Sequence, residues 1–295
     1  MVNDGGIKTG EPLIEGALST EGIPIARPVL IPVGADPAGG DDPFLLPDYR
    51  SRDVWLEIGI LTIALVAVEL LAGLLLEVAI GSPIDPSDAD YDRVHDETVR
   101  ALQVPMLAIR ASLAAGIIFW LVRRRRNKLA SVGLRRASVG WDFLIGLLAT
   151  LAIYGVMGLA SIIIQFSFPE AFHQMAENAN KLMSLIPRLH PLAFAPFSLM
   201  IGAYEELLFR GFLMVRLRRV LGGWTGAVLI STAVFTLLHA MDQVPLALVA
   251  VTLLSLVFSV LTIWRRSIVP AIWAHAMFDW SQFMLLYYSA GDAWQ

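Results

Sequence analysis

The 295-residue chain contains no cysteine, which excludes disulfides, thiolate metal sites and cysteine nucleophiles. Charge is also scarce: Asp, Glu, Lys and Arg make up 16% of residues against 56% that are hydrophobic, and mean hydropathy is +0.65. Soluble globular domains carry roughly a quarter charged residues, so this composition excludes one and points to an integral membrane protein. The net charge of -4 is too small to suggest a nucleic-acid partner. The sequence contains no phosphate-binding glycine loop, dinucleotide fingerprint or nucleic-acid module, so no soluble cofactor is expected. The N-terminal region also lacks a basic start leading into a short apolar core, so a cleavable signal peptide is not expected. Residues 1–53, rich in Gly, Pro and Asp, read as a flexible tail.

What the chain has in quantity is long apolar runs. About 20 residues at 1.5 Å rise cross the roughly 30 Å hydrocarbon core, and such runs recur at 54–80, 104–122, 141–166, 193–219, 226–242, 245–264 and 268–290. The expected fold is therefore all-α, a polytopic membrane helix bundle of about seven transmembrane helices, with eight as the alternative count. The domain spans 54–290 and leaves a short tail at 291–295. Gly155 and Gly158 in the third run are small residues of the kind that allow close helix approach.

Orientation follows from the basic residues. Arg123, Arg124, Arg125, Arg126, Lys128, Arg135 and Arg136 follow the second run; Arg216, Arg218 and Arg219 end the fourth; Arg265 and Arg266 follow the sixth. With seven spans these clusters share one side, which the positive-inside rule makes cytoplasmic, together with the N-terminal tail. The acidic loop 81–103 falls on the other side, and Trp55, Trp120, Trp141, Trp224 and Trp264 belong to the basic ends, as an interfacial aromatic belt would.

Charges retained at mid-bilayer cost about 2.5–3.5 kcal/mol on insertion scales and are functional candidates by default. The fourth run holds Glu205, Glu206 and Arg210, the fifth His239, and the seventh His275 and Asp279. Glu206 and Arg210 are four residues apart with the acid N-terminal, the favourable order for an ion pair along a helix. Glu205 is turned about 100° away at 3.6 residues per turn. The expectation is that Arg210 holds Glu206 while Glu205 faces a cavity; the alternative is one buried network of all three. His239 follows Phe235 by one turn, and His275 precedes Asp279 by one turn. A Glu and a His converging on water can make it a nucleophile, and a second His with a polar neighbour can stabilise an oxyanion. By helix rise, Glu205 lies about 16 Å from Arg216, His275 about 13 Å from Arg266 and His239 about 22 Å from Trp224, so His239 is expected to sit deeper. Glu69, Glu77 and Arg110 in the first two runs are expected to pair structurally, and Asp142 and Asp242 lie near interfaces.

"EELLFR" (Glu205, Glu206, Arg210), "FTLLH" (Phe235, His239) and "HAMFD" (His275, Asp279) occur in order on successive membrane segments. This set resembles the CAAX-protease and bacteriocin-processing family of intramembrane glutamic endopeptidases, also called Abi or CPBP proteins. The resemblance covers roughly 190–285. It implies that Glu205 is the general base that activates water, that His239 assists it, that His275 and Asp279 form the oxyanion site, and that Glu206 with Arg210 is a supporting pair. It further implies a peptidase that hydrolyses a peptide bond in a cavity open to the cytoplasmic side. Its partners would be the bilayer and a peptide or protein substrate at the membrane, lipidated ones included, and its place a prokaryotic cytoplasmic membrane. Two other readings stand beside it: a zinc protease using His239, His275 and a glutamate, although no HExxH is present, and a non-catalytic scaffold or immunity protein.

Overall fold

The computed structural model describes residues 42–46, 49–80, 91–135, 139–185, 187, 189–240 and 243–290. Among these, every regular element is helical: α1 (Ser51–Ile80), α2 (Tyr91–Arg124), α3 (Val139–Ser167), α4 (Pro169–Leu185), α5 (Pro191–Glu206), α6 (Met214–Leu221), α7 (Trp224–His239), α8 (Pro245–Arg265) and α9 (Val269–Ala290). A 3₁₀ turn (Leu129–Val132) follows α2, and a π-helical stretch (Leu207–Leu213) joins α5 to α6 without a break.

Among the described residues, five segments are long and apolar enough to cross a membrane: Ser51–Leu75, Glu97–Arg124, Gly140–Ser167, Pro191–Leu221 and Pro245–Arg265. The fifth expected run forms the shorter apolar helix α7. The seventh forms α9, which has the length but a less apolar surface because it carries His275, Asp279, Ser281 and Gln282. Its neighbours explain why that is tolerated: α9 packs along α5 and α3 and also touches α8, so its polar groups face protein. Between the third and fourth expected runs lies α4, a helix that the apolar-run reading does not anticipate, packed on α3, α2 and α8.

The basic ends of the helices converge. Arg125 pairs with Asp53 at 3.0 Å, Arg216 with Glu57 at 3.3 Å, Arg218 with Asp42 at 2.6 Å and Arg265 with Asp142 at 3.0 Å. The arginine clusters thus share one end of the bundle, tied there by carboxylates from α1, α3 and the segment before α1. Part of the stretch read from sequence as a flexible tail is packed: Phe44, Leu46 and Tyr49 are buried with Val54 and Val215, and Phe44 meets Trp224 edge to face at 5.5 Å. Three apolar side chains in "DDPFLLPDYR" supply that contact, which a composition dominated by Gly, Pro and Asp conceals. Burial pushes the Tyr49 hydroxyl up to about 12, with Glu57 beside it adding to the shift and Arg216 opposing it. Tyr49 therefore stays neutral inside this charged cluster. Glu69 and Arg110 form the ion pair between α1 and α2 that their positions suggest. The Glu77 side chain, Arg136, Asp242, loop residues 81–90 and the tail 291–295 lie outside the described residues.

The close helix approaches are not at Gly155 and Gly158, where an added Cβ would meet nothing within 4 Å. They are at Gly146 against α9, Gly202 against α9, and Gly211 against the 3₁₀ turn. A Cβ on Gly146 would lie 2.7 Å from Trp273 Cβ and 3.0 Å from the Pro270 carbonyl oxygen, and backbone cannot yield as a side chain can. Gly146→Ala is therefore expected to cost about 1–3 kcal/mol as an overpacking change, while Gly155→Ala costs nothing measurable. Thermal unfolding of the two variants in one detergent compares them directly.

Candidate functional site

Two carboxylates enter the bundle core at the end of α5, where the α-helix widens into the π stretch. Gly211 lies in that stretch, and its missing side chain lets the backbone press on the 3₁₀ turn: a Cβ there would be 2.7 Å from the Val132 carbonyl oxygen. Such π turns recur at functional sites because they redirect side chains within an otherwise continuous helix.

Glu206 and Arg210 are both buried, with 0% and 1% of their side chains exposed, and their ion pair spans 2.8 Å. Arg210 Nη2 donates to the Ser255 carbonyl at 3.1 Å. Its guanidinium lies 4.6 Å from the Phe235 ring centre and 5.5 Å from that of Phe258. Desolvating a charge so fully is tolerable only with an opposite charge, hydrogen bonds and aromatic faces around it.

Glu206 has a second partner from α9. His275 Nδ1 donates to the same Glu206 oxygen at 2.8 Å, and the His275 ring stacks on Phe258 with centroids 5.1 Å apart. That bond fixes the ring orientation and leaves His275 Nε2 facing two further carboxylates, Asp279 at 3.5 Å and Glu205 at 3.8 Å. Glu205 and Asp279 are each 20% exposed, unlike buried Glu206. The Oε2 atoms of both Glu205 and Glu206 have no hydrogen-bond partner. Arg210 is bonded to Glu206, while both glutamates lie against His275, Glu206 at Nδ1 and Glu205 at Nε2.

His239 stands apart from this cluster. Its Nδ1 donates to the Phe235 carbonyl at 2.9 Å, and its ring lies 4.5 Å from that of Phe235. Phe235 links the two histidines, since its ring is also 6.5 Å from that of His275. The helices α7 and α9 both run away from the basic end, so His239 is one turn beyond Phe235 as Asp279 is one turn beyond His275. α7 begins at Trp224 and ends at His239. His239 lies within electrostatic reach of Asp279.

The motif reading missed α8. Ser255 supplies the carbonyl that holds Arg210, its hydroxyl donates to Thr232 at 3.0 Å, and Ser259 donates back to the same carbonyl at 2.8 Å. The available signal was Ser255 and Ser259 on one face of an otherwise apolar helix, four residues apart. Phe258, an ordinary core residue by sequence, separates His275 and Arg210 from the apolar cluster of Ile153, Leu261 and Ala271. Among the described residues, no group of three His, Asp or Glu side chains is arranged to hold a metal ion.

Residues 187–281 match the family model described as Type II CAAX prenyl endopeptidase Rce1-like. This segment carries all three motifs and every residue of the cluster above, and over it the chain's resemblance to the CAAX-protease family holds. The family match supports a peptidase of the CAAX-protease type, and the apolar helices support an integral membrane protein. No curated protein and no solved structure matches the chain.

Breaking a buried pair by removing one partner typically costs 3–5 kcal/mol, because the other charge stays behind. Arg210→Ala is expected to destabilise the folded protein by about that amount, and Glu205→Ala by under about 1 kcal/mol, since no bonded partner is lost. Unfolding of both variants in detergent measures the difference.

Proposed function

We propose that the chain is an intramembrane endopeptidase of the CAAX-protease type in which Glu205 takes a proton from water. The hydroxide formed attacks the carbonyl carbon of a peptide bond, negative charge collects on that carbonyl oxygen, the C–N bond breaks, and the proton passes to the leaving amine nitrogen. The observation that carries this reading is the separation of the glutamates. Glu206 is fully buried, ion-paired with Arg210 and bonded to His275 through Oε1, while Glu205 is 20% exposed with its Oε2 3.8 Å from His275 Nε2.

The other residues take roles that fit their surroundings. His275, held by Glu206 through Nδ1 and acting as the imidazolium with both nitrogens protonated, presents Nε2–H as a donor to the developing oxyanion. Asp279 orients and charges His275 from the next turn of α9. His239, a turn beyond Phe235, assists Glu205 in handling the proton. Arg210 with Glu206 is a positioning pair, and Ser255 and Phe258 hold Arg210 and His275 in register. The substrate is a peptide or protein at the membrane.

This reading uses no metal. Glu205→Gln keeps the shape and removes the base, so peptide-bond cleavage by purified protein is expected to fall at least about a hundredfold, the lower range for general-base catalysis. His239→Ala is expected to reduce cleavage as well, and wild-type activity is expected to survive EDTA. Full activity in Glu205→Gln would remove the base and favour a scaffold, whereas loss with EDTA that zinc restores would transfer the reaction to the zinc alternative.

A further inference from the structure

His275 and Asp279 reach the carboxylates of α5 only if α9 keeps one height and one rotation. The bond from Glu206 to the His275 ring sits at the end of a rotatable side chain and fixes neither. The residues on the adjoining face of α9 supply that constraint. A helix turns 100° per residue, so Ala274 and Phe278, each directly before a site residue, form a second stripe beside that of His275 and Asp279. This second stripe lies against α3.

α3 grips it at three successive turns. A Cβ on Gly146 would lie 3.0 Å from the Ala274 nitrogen, so the two backbones touch there. Four residues on, the buried Thr150 hydroxyl shares its proton between the Gly146 carbonyl at 2.9 Å and, across the interface, the Ala274 carbonyl at 3.2 Å. Four residues further, the Tyr154 hydroxyl donates to the Phe278 carbonyl at 3.3 Å and meets the Ser281 hydroxyl, while its ring stacks on Phe278 with centroids 5.3 Å apart. Tyr154 also lies within electrostatic reach of Asp279. A carbonyl has two lone pairs, so each oxygen can accept such a bond and still serve its own helix.

The choice of acceptors gives these bonds their leverage. The Ala274 carbonyl shares a peptide plane with the His275 nitrogen, and the Phe278 carbonyl shares one with the Asp279 nitrogen. Each hydroxyl of α3 therefore holds the peptide unit from which a site residue springs. Joining the two helices does not by itself require them: interhelical hydrogen bonds in bilayers contribute little to stability, and α3 and α9 already share the apolar cluster of Ile145, Ile153, Ala271 and Ala274. Apolar contacts tolerate small slides and rotations, whereas a hydrogen bond weakens steeply with distance and angle.

We propose that Thr150 and Tyr154 are positioning residues: from α3 they set the height and rotation of α9, so that His275 meets Glu206 and Glu205 while Asp279 stands beside it. Neither lies in the matched segment 187–281, and α3 thereby becomes part of the working site. The inference rests on the proposed peptidase reading for its effect on cleavage; the effect on the His275 ring does not depend on that reading.

Thr150→Val and Tyr154→Phe remove the hydroxyls and keep the shapes, and Thr150→Ser keeps the donor. The purified full-length variants are compared in kcat and KM for peptide-bond cleavage, in thermal unfolding, and in the nitrogen resonances of the His275 ring, assigned by their loss in His275→Ala. A misplacement of about 1 Å costs up to about a hundredfold in rate. In Thr150→Val and Tyr154→Phe, kcat is expected to fall about tenfold or more with KM unchanged. The unfolding temperature is expected to stay near that of the wild type, the His275 resonances to move in these two variants, and Thr150→Ser to restore both kcat and the resonances. Unchanged kcat in both variants would overturn the proposal. So would a loss of kcat matched by lost thermal stability with the His275 resonances in place, which marks a merely structural bond, or a rise in KM at constant kcat, which marks a substrate contact. If the peptidase reading itself fails, seen as full cleavage in Glu205→Gln, the resonances decide alone: their movement upholds the hold of α3 on α9, and their constancy removes it.

Discussion

A guanidinium with about 1% of its surface exposed, set among helices that cross a bilayer, is the constraint on which the rest of the structure turns. Water cannot solvate Arg210, so the protein must, and each of its neighbours is explained by that requirement. Glu206 provides the countercharge, the Ser255 carbonyl provides an acceptor, and Phe235 and Phe258 provide aromatic faces. Those four residues come from three helices. Once Arg210 is satisfied, α5, α7 and α8 have little freedom to slide past one another, and His275 is drawn in from α9 by the remaining capacity of Glu206.

The same logic explains why two adjacent acids have different surroundings. A carboxylate that already serves a cation and an imidazolium through one oxygen, and is 0% exposed, is poorly placed to take a proton from water. Its neighbour, turned by one residue, is 20% exposed. The expensive buried pair is the means by which the more exposed acid is held rigidly beside His275.

Much of this was legible in the sequence. Hydropathy placed the five strongest spans, and the spacing of Glu206 and Arg210 anticipated their pairing. The basic clusters were correctly assigned to one end of the bundle, since Arg125, Arg216 and Arg265 do meet their acids there. The failures have specific causes. Residues 42–53 were read from bulk composition, which hides the few apolar side chains that anchor them. Gly155 and Gly158 were singled out for residue type, although a glycine matters only where another backbone comes close, as at Gly146, Gly202 and Gly211. Ser255 and Phe258 belong to no short motif, because their contribution arises from packing between helices distant in sequence.

The π stretch between Glu206 and Met214 has a consequence for the architecture as a whole. A helix of uniform pitch offers one stripe to one set of neighbours along its entire length. Here the wider turn shifts the phase in mid-membrane, so the upper half lies against α9 and α2 while the lower half lies against α7 and α1. One continuous segment thereby acts as a joint between two groups of helices, and the point where it changes allegiance is where the two glutamates part company.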